Sequence, residues 1–364
     1  MENLQKYLPP GWQEKAKEHG AMQRESGVIR TAESLLRLNM LYVTNGGSFQ
    51  MASMGMALTE GLQLSKTAAH KRIRKCGPWL RSIVEGLCKK EGQSIPKPAF
   101  LGERDVILVD ATDESVKGSK KSDYRLHYGF DLFNFKAKTI ELTTTEEGEK
   151  LSRYTLSNNE IVIADRAYCT INGIEHVLLQ DSSFVLRYRS KAFALYDESG
   201  VKLDILEQIR HLKALESTDI QCFYRLKSGQ MCPIRFIAMK KTAKAIDETK
   251  RKMKRKASKK QANPAQANTV ELNEYVVLVT NLDYTNEQIL ELYRARWQIE
   301  KVFHRLKSLF GYGDTPCKCD DTVQAWFYGK LLLAALCECI LNEMSFPPEL
   351  EPIIVDIVGA QFVG

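Results

Sequence analysis

The sequence lacks any hydrophobic run long enough to cross a membrane as a helix. Its best candidate is interrupted by Lys330 and Glu338, so no segment reaches about 18 uninterrupted apolar residues. It also lacks a secretory n-region and h-region, and its nine cysteines are odd in number and scattered along the chain. These absences predict a cytoplasmic protein of a reducing compartment, with no membrane among its partners.

Positive charge is confined to two stretches of the chain. Residues 240–260 carry eleven Lys and Arg against two acids, and residues 66–90 carry eight against one. These stretches have net charges of +9 and +7, and the whole chain has +7, so the remainder carries −9. Such segregation is typical of a chain that meets a polyanion such as DNA. Two solvated helical faces are the alternative.

The first hundred residues have helical periodicity. Residues 29–42 and 49–60 predict two helices, and Ser65 caps a third helix that opens at Lys66 and stops before Gly77. Helix, short glycine-containing turn and capped basic helix form the pattern of a helix-turn-helix, with a plain helical subdomain as the alternative. We expect its outward face to bind DNA through Lys66, Lys71 and Arg74, with Thr67 and His70 beside them.

Two continuous apolar runs, typical of central strands, each end in a carboxylate. Residues 106–109 lead to Asp110, and residues 161–164 lead to Asp165. The other elements predicted in this α/β segment are strands at 124–133, 137–145 and 183–188 and helices at 146–156 and 171–180. Ligands of such sheets gather at the carboxyl ends of the strands, where these aspartates lie. A turn or capping role is the alternative for either one alone.

The next hundred residues interrupt the α/β order. Strand-like stretches separated by charged turns predict an inserted β-rich subdomain, which closes with a strand at 274–280. Between them lies the basic stretch, which the composition predicts to be mobile in part. We expect Lys254, Arg255 and Lys256 of this stretch to contact DNA phosphates.

One long helix is predicted from about Thr285 to Phe310, because this segment contains neither Pro nor Gly. At about 100° per residue, four polar side chains fall within an arc of about 60° at the edge of its apolar stripe. They are Tyr293, Arg296, Glu300 and Lys307. A hydroxyl, two cations and a carboxylate on one arc suit a phosphate beside a metal ion. A polar rim around an amphipathic helix is the alternative.

Asp110, Asp165 and Glu300 are together the candidate metal ligands and catalytic acids. Hard cations such as Mg²⁺ take carboxylate oxygens and keep positions for water and substrate phosphate. Two such ions about 4 Å apart serve in-line displacement at phosphorus. Arg296 and Lys307 would then neutralise phosphates, and Tyr293 would hydrogen-bond to one.

The spacing Tyr293-x2-Arg296-x3-Glu300-x6-Lys307 resembles the Y-R-E-K signature of the DDE transposases of bacterial insertion sequences, in insertion-sequence family four. Asp110-Ala-Thr112 and Asp165-Arg166-Ala-Tyr168 resemble the contexts of that family's first and second catalytic aspartates. The resemblance covers residues 100–310.

This resemblance implies an α/β fold with an RNase H-like catalytic core and a β-rich insertion before the signature helix. The helical DNA-binding domain predicted from the first hundred residues would precede this core. Asp110, Asp165 and Glu300 would hold two Mg²⁺ ions, with Mn²⁺ as a substitute, and Arg166 would join the signature residues in binding DNA phosphates. The expected segments are a helical DNA-binding domain at 1–100, the first part of the core at 101–188, the insertion at 189–284, the signature helix at 285–315 and a helical segment at 316–364.

The implied activity is cut-and-paste transposition: an endonuclease that cleaves DNA at transposon ends and transfers the strand to a target. The implied partners are double-stranded DNA (terminal inverted repeats and target) and a second copy of the chain, in the bacterial cytoplasm and on the nucleoid when bound. Relatives stack a flipped base on a Trp of the insertion, but the tryptophans here are Trp12, Trp79, Trp297 and Trp326. Either Tyr275 or another aromatic residue is therefore the expected substitute, or this protein handles the DNA hairpin differently.

Two other functions use the same features. A nuclease on the same fold would use the three carboxylates without joining ends. A catalytically silent DNA-binding derivative would need only the basic stretches, and the complete set of acids and signature residues argues against it.

Overall fold

The computed structural model describes residues 2–23, 27–89, 95–189, 192–260, 266–313 and 315–343. Its helices are α1 (Glu2–Gln5), α2 (Trp12–Glu18), α3 (Ala32–Thr44), α4 (Phe49–Glu60), α5 (Lys66–Ile73), α6 (Gly77–Cys88), α7 (Ile171–Leu178), α8 (Ile205–Ile209), α9 (Ala243–Lys260), α10 (Ala267–Leu272), α11 (Asn286–Ala295), α12 (Trp297–Ser308) and α13 (Asp320–Glu343). Its strands are β1 (Val106–Glu114), β2 (Tyr124–Asp131), β3 (Lys136–Thr144), β4 (Ile161–Ala164), β5 (Ser183–Arg187), β6 (Leu195–Tyr196), β7 (Ser217–Arg225), β8 (Met231–Lys240) and β9 (Tyr275–Thr280).

The chain folds into two compact units that do not follow the predicted segment boundaries. Among the described residues, the first unit consists of the ranges 2–96, 110–148 and 298–343, and the second of the ranges 97–109 and 149–297. The chain passes between them inside β1 and inside α12. The predicted segments divide the chain by expected function, and this division stays a prediction. The compact units divide the chain differently.

The first unit is mainly helical, and its helices begin where the sequence places caps. The hydroxyls of Thr31, Ser48 and Ser65 accept backbone N–H bonds at the starts of α3, α4 and α5. The predicted helices at 29–42, 49–60 and 66–75 are thereby confirmed to within a few residues.

The long helix α13 forms part of the core of the first unit. Although Lys330 and Glu338 interrupt its apolar run, and no membrane span was predicted from the sequence, Asp320–Ile340 is long and apolar enough to cross a membrane by length and composition. However, its Val323, Trp326, Phe327 and Leu332 are buried, and it packs along α6 and α3. Burial of this kind is typical of a core helix in a folded domain.

The second unit contains most of a mixed sheet. The strands follow the order β3-β2-β1-β4-β5-β9-β8-β7-β6, in which β1, β4 and β5 are parallel and β9, β8, β7 and β6 follow as antiparallel neighbours. The predicted β-rich insertion therefore extends the sheet through β9. Its core is continuous with that of the central strands, since Val162, Phe184, Phe236 and Val279 belong to one buried cluster.

Three predictions about individual elements were wrong. The helix predicted at 146–156 forms only a 3₁₀ turn, Leu151–Arg153. Strand β1 runs beyond Val109 to Glu114, since β2 still accompanies it after the pairing with β4 ends. The long helix breaks at Arg296, whose N–H bonds to the carbonyl of Tyr293, three residues back, instead of continuing the α-helical ladder.

Candidate active site

The parallel strands place three functional side chains at equivalent positions. Val109 pairs with Ala164, and Ala164 pairs with Leu186, so these residues form one row across β1, β4 and β5. The next residues on the three strands are Asp110, Asp165 and Arg187. Adjacent strands lie about 4.8 Å apart. In the second unit, Asp165 and Arg187 therefore follow the same row, at the carboxyl ends where α/β sheets bind ligands. Asp110 follows Val109 on β1 and belongs to the first unit.

Asp110 and Asp113 have different surroundings. The carboxylate of Asp110 accepts the N–H of Ala111 at 2.8 Å. Asp113 is held by a bidentate ion pair with Arg125, at 2.7 and 3.3 Å. Because Arg125 already neutralises Asp113, this geometry favours Asp110 as the first catalytic acid.

Asp165 opens a short turn that directs the following basic residue into the unit. Its carboxylate accepts the N–H of Ala167 at 2.8 Å, which closes an Asx-type turn. Arg166 is half-buried, and its Nε has no hydrogen-bond partner among the described residues. The Nε of Arg187 is also buried and has no hydrogen-bond partner among the described residues. Donors of this kind are costly in a folded protein unless a ligand satisfies them.

Arg166, Arg187 and Lys241 form a group of cations that repel one another, named here the cation cluster. Burial and the charge of Arg187 lower the pKa of Arg166 to about 10. Burial, then Arg187 and Arg166, lower the pKa of Lys241 to about 8. Lys241 donates to the hydroxyl of Thr249 at 3.2 Å and the carbonyl of Asn273 at 2.7 Å, both neutral. The cluster therefore has an excess of positive charge that suits an anion.

Sequence reasoning named Arg166 but missed Arg187 and Lys241. The missed signal for Arg187 was its place after the apolar run of β5, which corresponds to the places of Asp110 and Asp165 after their strands. Lys241 had no such signal, because only the fold brings it near the two arginines.

The signature residues fall into two groups, because the helix breaks at Arg296. In the second unit, the guanidinium of Arg296 lies over the ring of Tyr293, 6.0 Å from its centroid. In the first unit, Glu300 is exposed on α12 and Lys307 lies in its last turn. Lys307 Nζ forms an ion pair with Glu114 Oε1 of β1 at 2.8 Å. Burial raises the pKa of Glu114, while Lys307 acts in the opposite direction.

The structure corrects the expected position of Arg305. In a continuous helix it would lie about 120° round from Tyr293, which predicts a position on the solvent side. Its guanidinium instead packs over the ring of Phe135, 5.5 Å from its centroid, and the residue is half-buried. Arg305 is therefore not a neutral control for the signature residues.

A family model described as the transposase DDE domain matches residues 101–336, more than half of the chain. The chain belongs to the DDE transposases. The resemblance inferred from the Y-R-E-K spacing is thereby confirmed, and the protein is an enzyme that acts on DNA.

Named relatives agree with this assignment. The putative transposase InsL of insertion sequence element IS186A from Escherichia coli K12 is 28% identical over 348 residues, which cover 92% of this chain and 91% of the relative. The transposase of insertion sequence element IS421 from Escherichia coli is 28% identical over 349 residues, with the same coverage. The transposase of insertion sequence element IS231F from Bacillus thuringiensis subsp. israelensis is 23% identical over 239 residues, 61% of this chain and 50% of the relative.

Enzymes of this family depend on a divalent metal ion. Carboxylate oxygens are the ligands such ions prefer, so the donor chemistry of Asp110, Asp165 and Glu300 fits. Among the residues that the structure describes, no group of three His, Cys, Asp or Glu side chains is close enough together to hold a metal ion. The assignment of the three ligands therefore stays a prediction.

The candidate DNA-binding residues of the enzyme differ in how freely they face solvent. Lys66 and Lys71 of α5 are exposed, whereas Arg74 pairs with Asp321 at 2.9 Å. His70 packs against Phe49, with ring centroids 4.8 Å apart, and does not point outward as expected. On α9, Lys254 and Arg255 are exposed, and the side chain of Lys256 lies outside the described residues.

The aromatic residue expected to stack a flipped base is not available. Tyr275 is 2% exposed, and the ammonium of Lys240 lies over its ring. Trp12, Trp79 and Trp326 are also buried, whereas Trp297, beside Arg296, is 56% exposed. Tyr275 is therefore excluded from base stacking in the enzyme as it is folded here.

Proposed function

We propose that this DDE transposase moves an insertion sequence by cutting DNA at the transposon ends and joining the cut strand to target DNA. The observation that carries the proposal is the row formed by Val109, Ala164 and Leu186, after which Asp110, Asp165 and Arg187 follow on neighbouring strands. The relatives named as insertion-sequence transposases support the substrate class. The order β3-β2-β1-β4-β5, an antiparallel pair beside parallel strands, supports an RNase H-like core.

Asp110, Asp165 and Glu300 would hold the divalent ions, Mg²⁺ or Mn²⁺, two in each site. Bound there, the ions would supply Lewis acidity to the attacking and leaving oxygens at phosphorus. The turn at Asp165 contributes orientation, because one oxygen of that carboxylate is fixed by the N–H of Ala167.

Arg166 and Arg187 would bind the phosphate at the cleavage point. In both residues the buried guanidinium Nε has no hydrogen-bond partner among the described residues. The two positive charges also repel each other, which is unfavourable as long as no anion is bound. A phosphate would accept their N–H groups and relieve this repulsion. Tyr293 and Arg296, stacked on each other, would contact a neighbouring phosphate.

The remaining basic residues would supply affinity for DNA rather than chemistry. Lys66, Lys71 and Arg74 would contact the terminal repeat through a helix-turn-helix, and Lys254, Arg255 and Lys256 would contact the backbone nonspecifically. Two copies of the chain would hold two transposon ends in one complex, in the cytoplasm and on the nucleoid when bound to DNA.

The proposal is tested with DNA that carries the inverted repeats flanking the gene. The purified protein and Mg²⁺ should release a 3′ end from this DNA and join it to a second DNA molecule. Cleavage without joining would identify a nuclease instead. Binding without cleavage, in Mg²⁺ and in Mn²⁺, would identify a silent DNA-binding derivative.

A further inference from the structure

Glu114 and Lys307 meet at the end of β1, in a place that sequence reasoning did not single out. Glu114 is 5% exposed, whereas the Lys307 side chain is 42% exposed, and their charged atoms lie 2.8 Å apart. Leaving a carboxylate buried without its cation is strongly unfavourable. Lys307 is therefore committed to Glu114, and it is not simply a mobile cation awaiting a phosphate.

The chain beyond α12 is shaped to hold this carboxylate. Gly311 has φ +58°, and the N–H of Tyr312 returns to the carbonyl of Leu306 at 3.0 Å. This turn brings Gly313 against Glu114: a Cβ built on Gly313 would lie 2.7 Å from Glu114 Oε2. A side chain at residue 313 would therefore displace Glu114 Oε2, while Glu114 Oε1 lies against Lys307.

The ion pair connects two elements that each carry a candidate catalytic acid. Side chains on a strand alternate, so Asp110 and Glu114 share a face of β1, about 13 Å apart along it. On α12, Glu300 and Lys307 are seven residues apart, nearly in line and separated by about 10.5 Å. Holding Lys307 at Glu114 therefore sets the position of α12 along β1, and with it the distance between Glu300 and Asp110.

The apolar contacts of α12 and the ion pair act together. Ile299, Val302, Phe303 and Leu306 form the buried stripe of the helix, and Phe303 meets Tyr128 edge to face at 5.9 Å. This packing holds the helix against the unit. The ion pair adds a contact between two charged atoms, Lys307 Nζ and Glu114 Oε1, which lie 2.8 Å apart in a geometry that does not make a hydrogen bond.

We propose that Glu114 is a positioning residue: it holds Lys307 and thereby sets the distance between the catalytic carboxylates Asp110 and Glu300. This inference rests on the proposed function. It assigns Lys307 a role in placing α12, in addition to any contact with phosphate.

The test measures single-turnover cleavage of prebound transposon ends by Glu114→Gln. Loss of an outer group that orients metal ligands costs about 10- to 100-fold, and we expect a loss in this range. We expect the Kd for end DNA to stay within about twofold and the Mg²⁺ concentration for half-maximal rate to rise, because phosphate contacts remain while the ligands are displaced. Glu60→Gln is the matched control, since Glu60 is 16% exposed in a 2.9 Å pair with Arg37.

Lys307→Met completes a double-variant cycle. If Glu114 acts only through Lys307, then Glu114→Gln adds no further loss of rate in the Lys307→Met background. If the fold loss of cleavage rate in the double variant equals the product of the fold losses in the two single variants, the residues act independently and the proposal is overturned. Parent-like cleavage and metal dependence in Glu114→Gln, with only a lower Tm, would also overturn it by showing a purely structural role.

Failure of the proposed function is recognised separately. If the parent protein binds end DNA but does not cleave it under any metal condition, the proposed function fails and the positioning role falls with it. If the parent cleaves and Glu114→Gln cleaves equally well, only the positioning role fails.

Discussion

Arg166 and Lys307 were both predicted to bind DNA phosphate, yet the structure surrounds them in opposite ways. Arg166 is half-buried beside Arg187, with an unpartnered Nε and a lowered pKa. Lys307 is more exposed, but it is paired with the buried Glu114. A buried cation next to another cation favours binding an anion from outside. A cation paired with a buried carboxylate already has its partner inside the protein and favours a positioning role.

The largest expected loss of cleavage follows from changing the three acids proposed to hold the metal ions. Asp110→Asn, Asp165→Asn and Glu300→Gln should each reduce single-turnover cleavage by at least about 10³-fold, because these side chains are the proposed metal ligands. End binding should change little, since affinity comes from basic residues and phosphate. Asp113→Asn is the control, because Arg125 already occupies that carboxylate. Loss of cleavage in Asp113→Asn with retention in Asp110→Asn would reassign the first acid.

The cation cluster should have the next largest effect. Arg166→Gln and Arg187→Gln are each expected to slow cleavage of prebound ends by about 10² to 10³, because they are aimed at a reacting phosphate in a partly buried site. Arg210→Gln is the control, since Arg210 is exposed and paired with Glu271 at 2.8 Å. Equal, small changes in all three variants would mean that the cluster does not contact the reacting phosphate.

Removing exposed cations should affect binding moderately and uniformly. Replacing Lys254, Arg255 and Lys256 on α9 with Gln should weaken transposon-end and random DNA alike, as expected for phosphate contacts that carry no sequence information. Each lost contact should make the salt dependence of log K shallower by about 0.9 on duplex DNA. The measurement is a salt titration of Kd. An unchanged slope would show that this face of α9 is only solvated.

A small pH effect should report the state of Lys241. Its pKa is about 8 in the folded protein, below the ordinary value of 10.5. Between these values the unfolded chain keeps a proton that the folded protein has lost, so stability rises as pH increases through this range. The Tm of the parent, relative to Lys241→Met, should therefore rise by about 1–2 °C between about pH 7.5 and pH 9.5. A constant or falling difference would mean that Lys241 stays charged in the folded protein.

Much of the fold was predictable because its signals are local. The apolar runs marked β1 and β4, and Ser48 and Ser65 marked the starts of α4 and α5. The Y-R-E-K spacing identified the family without any structural information. These features depend on neighbouring residues, which a sequence displays directly.

The parts that could not be predicted depend on contacts between distant residues. Glu114 and Lys307 meet from separate elements, and nothing near Glu114 in the sequence marks it as a partner. The break at Arg296 contains no Gly or Pro, so no helix-breaking residue signals it. The contacts of α9 with distant residues were also not predictable: Lys250 pairs with Glu274 at 2.8 Å, and Thr249 accepts a hydrogen bond from Lys241, which lies before the helix.

The contrast between the two basic sites is tested most directly by thermal unfolding without DNA. Arg166→Met should raise the Tm, because it removes a partly buried charge that Arg187 repels and whose Nε has no hydrogen-bond partner among the described residues. Lys307→Met should lower the Tm by about 2–4 °C, roughly 1 kcal/mol, because it leaves Glu114 buried without its cation. Shifts of opposite sign would agree with an anion site at Arg166 and a positioning pair at Lys307. Shifts of the same sign would contradict this distinction.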